Sequence, residues 1–186
     1  MSATTAPGLP LRKFDRRRAA IIDRLADDVL AHGLADASLR RLAVAAQASD
    51  RMLLYYFPDK AAIIAAVLAR VAERLTVVLD AHTGSVLLPF NTLLATLQAL
   101  LSSDAVWPYL QLFLEVAALA GRGDPVARDV GEQLGRDFLA WGAAQLDSKA
   151  DRRAHEAAQL LVMVEGMMVL KSLGLADVNI DAVPNP

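Results

Sequence analysis

Two arginines, two tyrosines and a lysine, namely Arg40, Arg51, Tyr55, Tyr56 and Lys60, fall within the 23 residues from Ser38 to Lys60. Their shared chemistry is recognition of a polyanion. A guanidinium can bridge guanine O6 and N7, a contact that discriminates bases by about 1–3 kcal/mol, so Arg40 and Arg51 are candidates for base readout. Phenol and ammonium groups reach phosphate oxygens, which sets register on a duplex without reading its sequence. Taken singly, any of these is equally an ordinary solvated or packed side chain. The argument rests on their grouping.

A second set of residues could hold a small molecule. Trp107, Tyr109, Phe113, Phe138, Trp141, Met163 and Met167 lie in helical blocks of the C-terminal half and could line an apolar cavity, or simply form core. Glu115 and Glu165 sit inside apolar runs, where a carboxylate must find a partner or become neutral. A cationic effector or a group across a subunit interface would serve for either. Glu115 joins the ligand set on this ground.

Enzyme chemistry has little to work with. His32, His82 and His155 follow no metal-ligand spacing, and there is no cysteine, which excludes disulfides and thiolate sites. Gly121-Arg122-Gly123 leads into Asp124-Pro125 and lacks the third glycine of a phosphate-binding loop. No cofactor and no metal is expected, and no catalytic residue is assigned.

The elements that must carry the basic and aromatic residues are short. Leu39, Leu42, Ala43 and Ala46 fall at helical spacing, Gln47, Ala48 and Ser49 interrupt it, and Met52, Leu53 and Phe57 resume it. Helices this short are not stable alone. They need a third, and Ile22, Leu25, Ala26, Val29 and Leu30 supply an amphipathic one just upstream, ending at His32-Gly33. Such a three-helix unit is the helix-turn-helix arrangement, which lays one helix in the DNA major groove. Ser38 is placed to cap the second helix, Ser49 or Asp50 to start the third, and Asp59 to cap the fourth.

Read from Arg16 to about Leu68, the chain resembles the DNA-binding head of the TetR family of bacterial transcriptional regulators. The resemblance is carried by the first helix ending at His32-Gly33, by Ser38-Leu39-Arg40-Arg41-Leu42-Ala43, and above all by Leu53-Leu54-Tyr55-Tyr56-Phe57-Pro58-Asp59-Lys60. It implies that Lys60 holds a DNA phosphate at the start of its helix, and that Tyr55 and Tyr56 reach phosphates and base edges. The DNA-binding set is thus Ser38, Arg40, Asp50, Arg51, Tyr55, Tyr56 and Lys60. The chain departs from the family pattern at Arg41, at Leu54 in place of a common tyrosine, and at Gln47 in place of a glycine. If position 47 requires positive φ, Gln47 is mildly strained.

Charge and composition agree with this division. Residues 1–60 carry ten Lys or Arg against seven Asp or Glu, net +3, and the rest carry nine against fourteen, net −5. Binding to nucleic acid depends on the local patch, so the formal net charge of −2 does not argue against it. The apolar fraction of 55% with only 5% aromatics points to closely packed helices and a buried subunit interface.

The expected fold is all-α. A disordered tail (1–11) precedes a helix-turn-helix head (12–59), a helical effector-binding and dimerisation domain (60–175) and a frayed tail (176–186). The basic arm at Arg12, Lys13, Arg16, Arg17 and Arg18 is either a solvated helix end or a phosphate-contacting extension. A long fourth helix carries Ile64, Val67, Leu68, Val71, Leu75, Val78 and Leu79 inward. Blocks follow at Leu93–Leu101, Leu110–Ala120, Val126–Leu146 and Arg152–Leu173, the last apolar nearly all round and so in need of a second copy of the chain.

The uncharged window Ala81 to Ser103 contains His82, Gly84, Pro89, Asn91 and Gln98 and reads as a loop plus a buried helix, not a membrane span. With no apolar core for a signal peptide at the N-terminus, a cytoplasmic location is expected. The expected partners are a double-stranded DNA operator, a second copy of the chain and an unknown small, largely apolar effector. The function expected is that of a homodimeric repressor. A helical small-molecule carrier or enzyme with a purely structural three-helix start is the alternative.

Overall fold

A computed structural model describes residues 13–35 and 37–178. The expected N-terminal tail, Arg12 of the arm, and residues 179–186 of the C-terminal tail lie outside the described residues. Among those described, eight helices follow one another: α1 (Lys13–His32), α2 (Leu39–Ala45), α3 (Asp50–Tyr56), α4 (Lys60–Thr83), α5 (Phe90–Leu101), α6 (Trp107–Gly121), α7 (Pro125–Gln145) and α8 (Ala150–Ser172). The fold is all-α. Among the described residues the one β-type pairing is an isolated bridge between Leu88 and Leu146, which ties the loop before α5 to the loop after α7.

Helices α2 and α3 have seven residues each, too few for independent stability, and three devices hold them. Ser38 Oγ accepts the Arg41 N–H and Ser49 Oγ accepts the Met52 N–H, so both N-termini are capped by side chains. At the other end of α2, Arg24 on α1 donates to the Ala46 carbonyl at 2.8 Å. Leu25, Ala26, Val29, Leu42, Ala43, Ala46, Leu53 and Phe57 then form one buried cluster. Truncating one of its large members, Leu53 for instance, costs about 2–5 kcal/mol. Met52, expected to join that set, is 45% exposed, because the apolar face of α3 is centred on Leu53 and the residue before it points to water.

The turn between α2 and α3 requires a left-handed residue. Gln47 supplies it with φ +53°, the one positive φ outside glycine among the described residues. Gly33, with φ +72°, ends α1 in the same way.

Helix α4 is capped by Asp59, whose Oδ1 accepts the Ala62 N–H at 2.7 Å, and at 24 residues it runs about 36 Å. Its buried residues are Ile63, Val67, Leu68, Val71, Leu79 and Thr83. The inward residue of the first turn is therefore Ile63, and Ile64 is only partly buried. An ion-pair group clasps α4 to α1: Arg70 Nε donates to Asp23 Oδ1 at 2.7 Å, while Arg74 meets Asp23 at 3.0 Å and Asp27 at 2.6 Å. The Arg70 hydrogen bond holds the Asp23 carboxyl below its ordinary value, with Arg74 adding in the same direction.

In the C-terminal half, Asp124 Oδ1 accepts the Ala127 N–H and Pro125 occupies the first position of α7. Pro108 lies in the first turn of α6, where no backbone donor is needed. Buried residues of α4, α5, α6 and α8, among them Leu79, Leu93, Leu97, Leu110, Leu160 and Met168, form a second cluster. The first cluster also takes in Leu112 and Val116 of α6 and Ala127 of α7, so apolar packing is continuous from the three-helix unit into the rest of the chain.

Candidate functional site

The three-helix unit of α1, α2 and α3, with the start of α4, sorts its cations into two kinds. Arg41 donates to Asp28 at 2.9 Å and to the Gly33 carbonyl, Arg24 caps α2, and Arg18 lies over the Phe57 ring at 4.8 Å. These hold the unit together. Lys13, Arg16, Arg17, Arg40, Arg51 and Lys60 are exposed and engage no partner among the described residues. Their charges face solvent, where they could neutralise backbone phosphates and displace the cations condensed on a duplex.

Of the seven residues assigned to DNA from the sequence, Ser38, Arg40, Asp50, Arg51, Tyr55 and Lys60 are exposed and Tyr56 is half-buried. Ser38 Oγ accepts a backbone N–H, which leaves its own O–H free to donate. Asp50 is the first residue of α3, where a carboxylate complements the helix dipole, and Ser49 provides the cap. Lys60 is the first residue of α4, beside backbone N–H groups suited to an anion.

Tyr55 is 70% exposed. It stands edge-on to Tyr56 at a centroid distance of 5.1 Å, and both meet Phe14 of α1, at 5.7 and 4.8 Å. Phe14 thus orients the tyrosines of α3. Nothing local in the sequence signals this, since the contact joins residues some 40 positions apart.

The second site is a cavity of about 140 Å³ lined by residues of α4, α5, α6, α7 and α8 and partly open to solvent. Tyr109, Phe113, Phe138 and Trp141 line it, with Leu68, Val71, Leu75, Leu97, Leu110 and Met168 among the aliphatic walls. Phe138 and Trp141 meet at a centroid distance of 5.5 Å with their rings tilted by 42°, and Trp141 Nε1 donates to Asp80 of α4 at 2.8 Å. Its ionisable lining groups besides Tyr109 are Asp137 and Glu165. Burial pushes the Glu165 carboxyl above its ordinary value.

The other residues proposed for a ligand lie elsewhere. Trp107 packs beneath Lys171, whose ammonium is 4.1 Å from its ring centroid and also donates to the Leu101 carbonyl. Met163 and Met167 pack against the second cluster outside the cavity, because the inward stripe of α8 runs through Val164, Glu165 and Met168. Glu115 is a correction of another kind. Its carboxylate is turned away from the cavity and accepts the Leu34 N–H at 2.7 Å, in the segment between α1 and α2.

Neither a protein-family model nor a curated protein matches the chain. Solved structures do. A candidate transcriptional regulator of Streptomyces coelicolor A3(2) aligns over 85% of this chain and 88% of its own, with TM-score 0.68 at 22% identity. A candidate TetR-family transcriptional regulator from Rhodococcus sp. aligns over 87% and 89%, with TM-score 0.66 at 18% identity. The multidrug binding protein EbrR, solved in complex with imidazole, aligns over 91% and 96%, with TM-score 0.63 at 23% identity. In all three the alignment spans both the three-helix unit and the helices around the cavity, so the chain has the all-helical fold of the TetR-family transcriptional regulators.

Proposed function

We propose that this protein is a TetR-type transcriptional regulator, acting as a homodimeric repressor that leaves a palindromic operator when a small molecule enters the cavity. The observation that carries the reading is the outward set on one short helix and its neighbour: Arg51 and Tyr55 on α3, with Lys60 opening α4, all exposed, the two cations engaging no other residue described and Tyr55 held edge-on against Phe14 and Tyr56. A helix bearing guanidinium and phenol groups, followed by an ammonium at a helix N-terminus, is equipped for base edges and phosphates together. The working division is a DNA-binding head of residues 12–59 and an effector-binding and dimerising part of residues 60–175.

Two further features support the rest of the reading. Along α8, Val162 is 70% exposed and Val169 also faces water, an outlay of apolar surface that a second copy would cover. The likeness to a multidrug binding protein agrees with a ligand in the cavity. Dimer heads would enter successive major grooves about 34–36 Å apart. An effector that favours another arrangement needs a coupling of only about 1–3 kcal/mol to release DNA.

The test is the double variant Lys60→Ala with Tyr56→Ala. It should lose operator binding while keeping its helical content and a cooperative unfolding transition. Retained affinity would sink the assignment of the head.

A further inference from the structure

The cavity has walls of one chemistry and charges of one sign. Tyr109, Phe113, Phe138 and Trp141 give it aromatic faces, the remaining lining is overwhelmingly aliphatic, and among the described residues its charged side chains are the carboxylates of Asp137 and Glu165. Among the described residues no Lys, Arg or His lines it. Low-dielectric walls around two carboxylates focus a negative potential on the interior.

The two acids stand differently. Asp137 is exposed, and one of its oxygens accepts a hydrogen bond from Gln133 at 2.8 Å. Glu165 is partly buried and has no hydrogen-bond or ion-pair partner among the described residues. A carboxylate withdrawn from water without a partner is costly, and that cost is relieved by whatever brings a positive charge beside it. Aromatic rings also favour a cation over their faces, by about 0.5–2 kcal/mol according to solvation.

We propose that the cavity takes a small hydrophobic organic cation, its apolar body against the aromatic walls and its positive charge toward Glu165, with Asp137 adding attraction from a distance. This deepens the regulator reading by naming the charge class of the effector, and it rests on that reading only for the consequence at DNA. An anion of the same size meets two like charges and no counter-charge, so it is excluded. A neutral isostere gains the apolar contacts alone.

The test uses probes of matched shape on the full chain, without DNA. Phenyltrimethylammonium carries a fixed positive charge, tert-butylbenzene is its neutral isostere, and phenylacetate is an anion of similar size. Binding is followed by calorimetry and by quenching of tryptophan fluorescence. The cation should bind and phenylacetate should not. Glu165→Gln should weaken the cation about tenfold, close to 1.4 kcal/mol, while changing tert-butylbenzene less than about twofold. Asp137→Asn should weaken the cation by a smaller factor.

Equal loss of both probes in Glu165→Gln would overturn the proposal, as would binding of phenylacetate or failure of the cation to bind the unaltered chain. Should Glu165→Gln not fold, the charge series on the unaltered chain still decides. Because the titrations contain no DNA, they can succeed where operator binding fails, and a failure here leaves the DNA-binding reading intact.

Discussion

Glu115 on α6 accepts a hydrogen bond from the Leu34 N–H at 2.7 Å, joining residues 81 positions apart in the chain. The same carboxylate lies against Gly33, so closely that a Cβ built there would collide with Glu115 Oε1. On the same helix, Leu112, Phe113 and Val116 line the cavity. One helix therefore touches the ligand space through one face and closes the end of α1 through another. A displacement of α6 cannot leave the segment between α1 and α2 unaffected.

Two substitutions should show this seam in stability. Gly33→Ala introduces the collision at a backbone conformation with φ +72°, and should destabilise by about 1–3 kcal/mol in urea titration. Glu115→Ala leaves the buried Leu34 amide without its acceptor, at a cost of about 1–3 kcal/mol. Glu115→Gln keeps an acceptor oxygen and should lose less than Glu115→Ala. If all three unfold with the unaltered midpoint, the contact does not couple the two regions.

At the turn between α2 and α3 the sign reverses. Gln47 holds φ +53°, where a side chain costs about 1–2 kcal/mol and glycine costs nothing sterically. Part of the gain is offset by the larger freedom of glycine in the unfolded chain. Gln47→Gly should raise the melting midpoint slightly, and Gln47→Val should lower it. A Gly variant less stable than the unaltered chain would contradict the strain.

Stability against pH should show two windows of opposite slope. The folded-state value of Asp23 is lowered by its Arg70 hydrogen bond, so the stability it contributes is present above its unfolded value of 3.8 and is lost as pH falls through the lower folded value. Burial raises Glu165, which therefore binds more protons folded than unfolded just above 4.5. Stability from this group falls as pH rises through that window. Urea titrations in steps across the acid range check this: Asp23→Asn should flatten the most acidic limb and leave the limb above 4.5 unchanged, and Glu165→Gln should do the converse.

What the sequence made legible is what is local. Ser38 and Asp59 act on amides three residues away, so cap and helix start can be read together, and they sit where the pattern puts them. Gln47 was readable through the resemblance, whose pattern has a glycine at that place, and its φ of +53° shows that the turn uses a left-handed residue there. Helical phase is harder. Periodicity locates an apolar face but not its centre to within one residue, which is why Ile63 replaces Ile64, Met52 turns outward, and Met168 rather than Met167 lines the cavity. Glu115 was not legible at all. An acid in an apolar run announces that it needs a partner, but a partner 81 residues away leaves no trace in the spacing. Phe14 against Tyr55 and Tyr56 is hidden for the same reason.

The most direct measurement is selection of bound duplexes from a random DNA pool with the full chain, repeated at two salt concentrations. The expected result is a palindrome with half-sites about one helical turn apart, bound with an affinity that falls as salt rises. Lys60→Ala should reduce the salt slope by about one while keeping the motif, and Arg51→Ala should relax preference at one position per half-site. Recovery of duplexes with no common motif, or none retained above background at either salt concentration, would contradict the account.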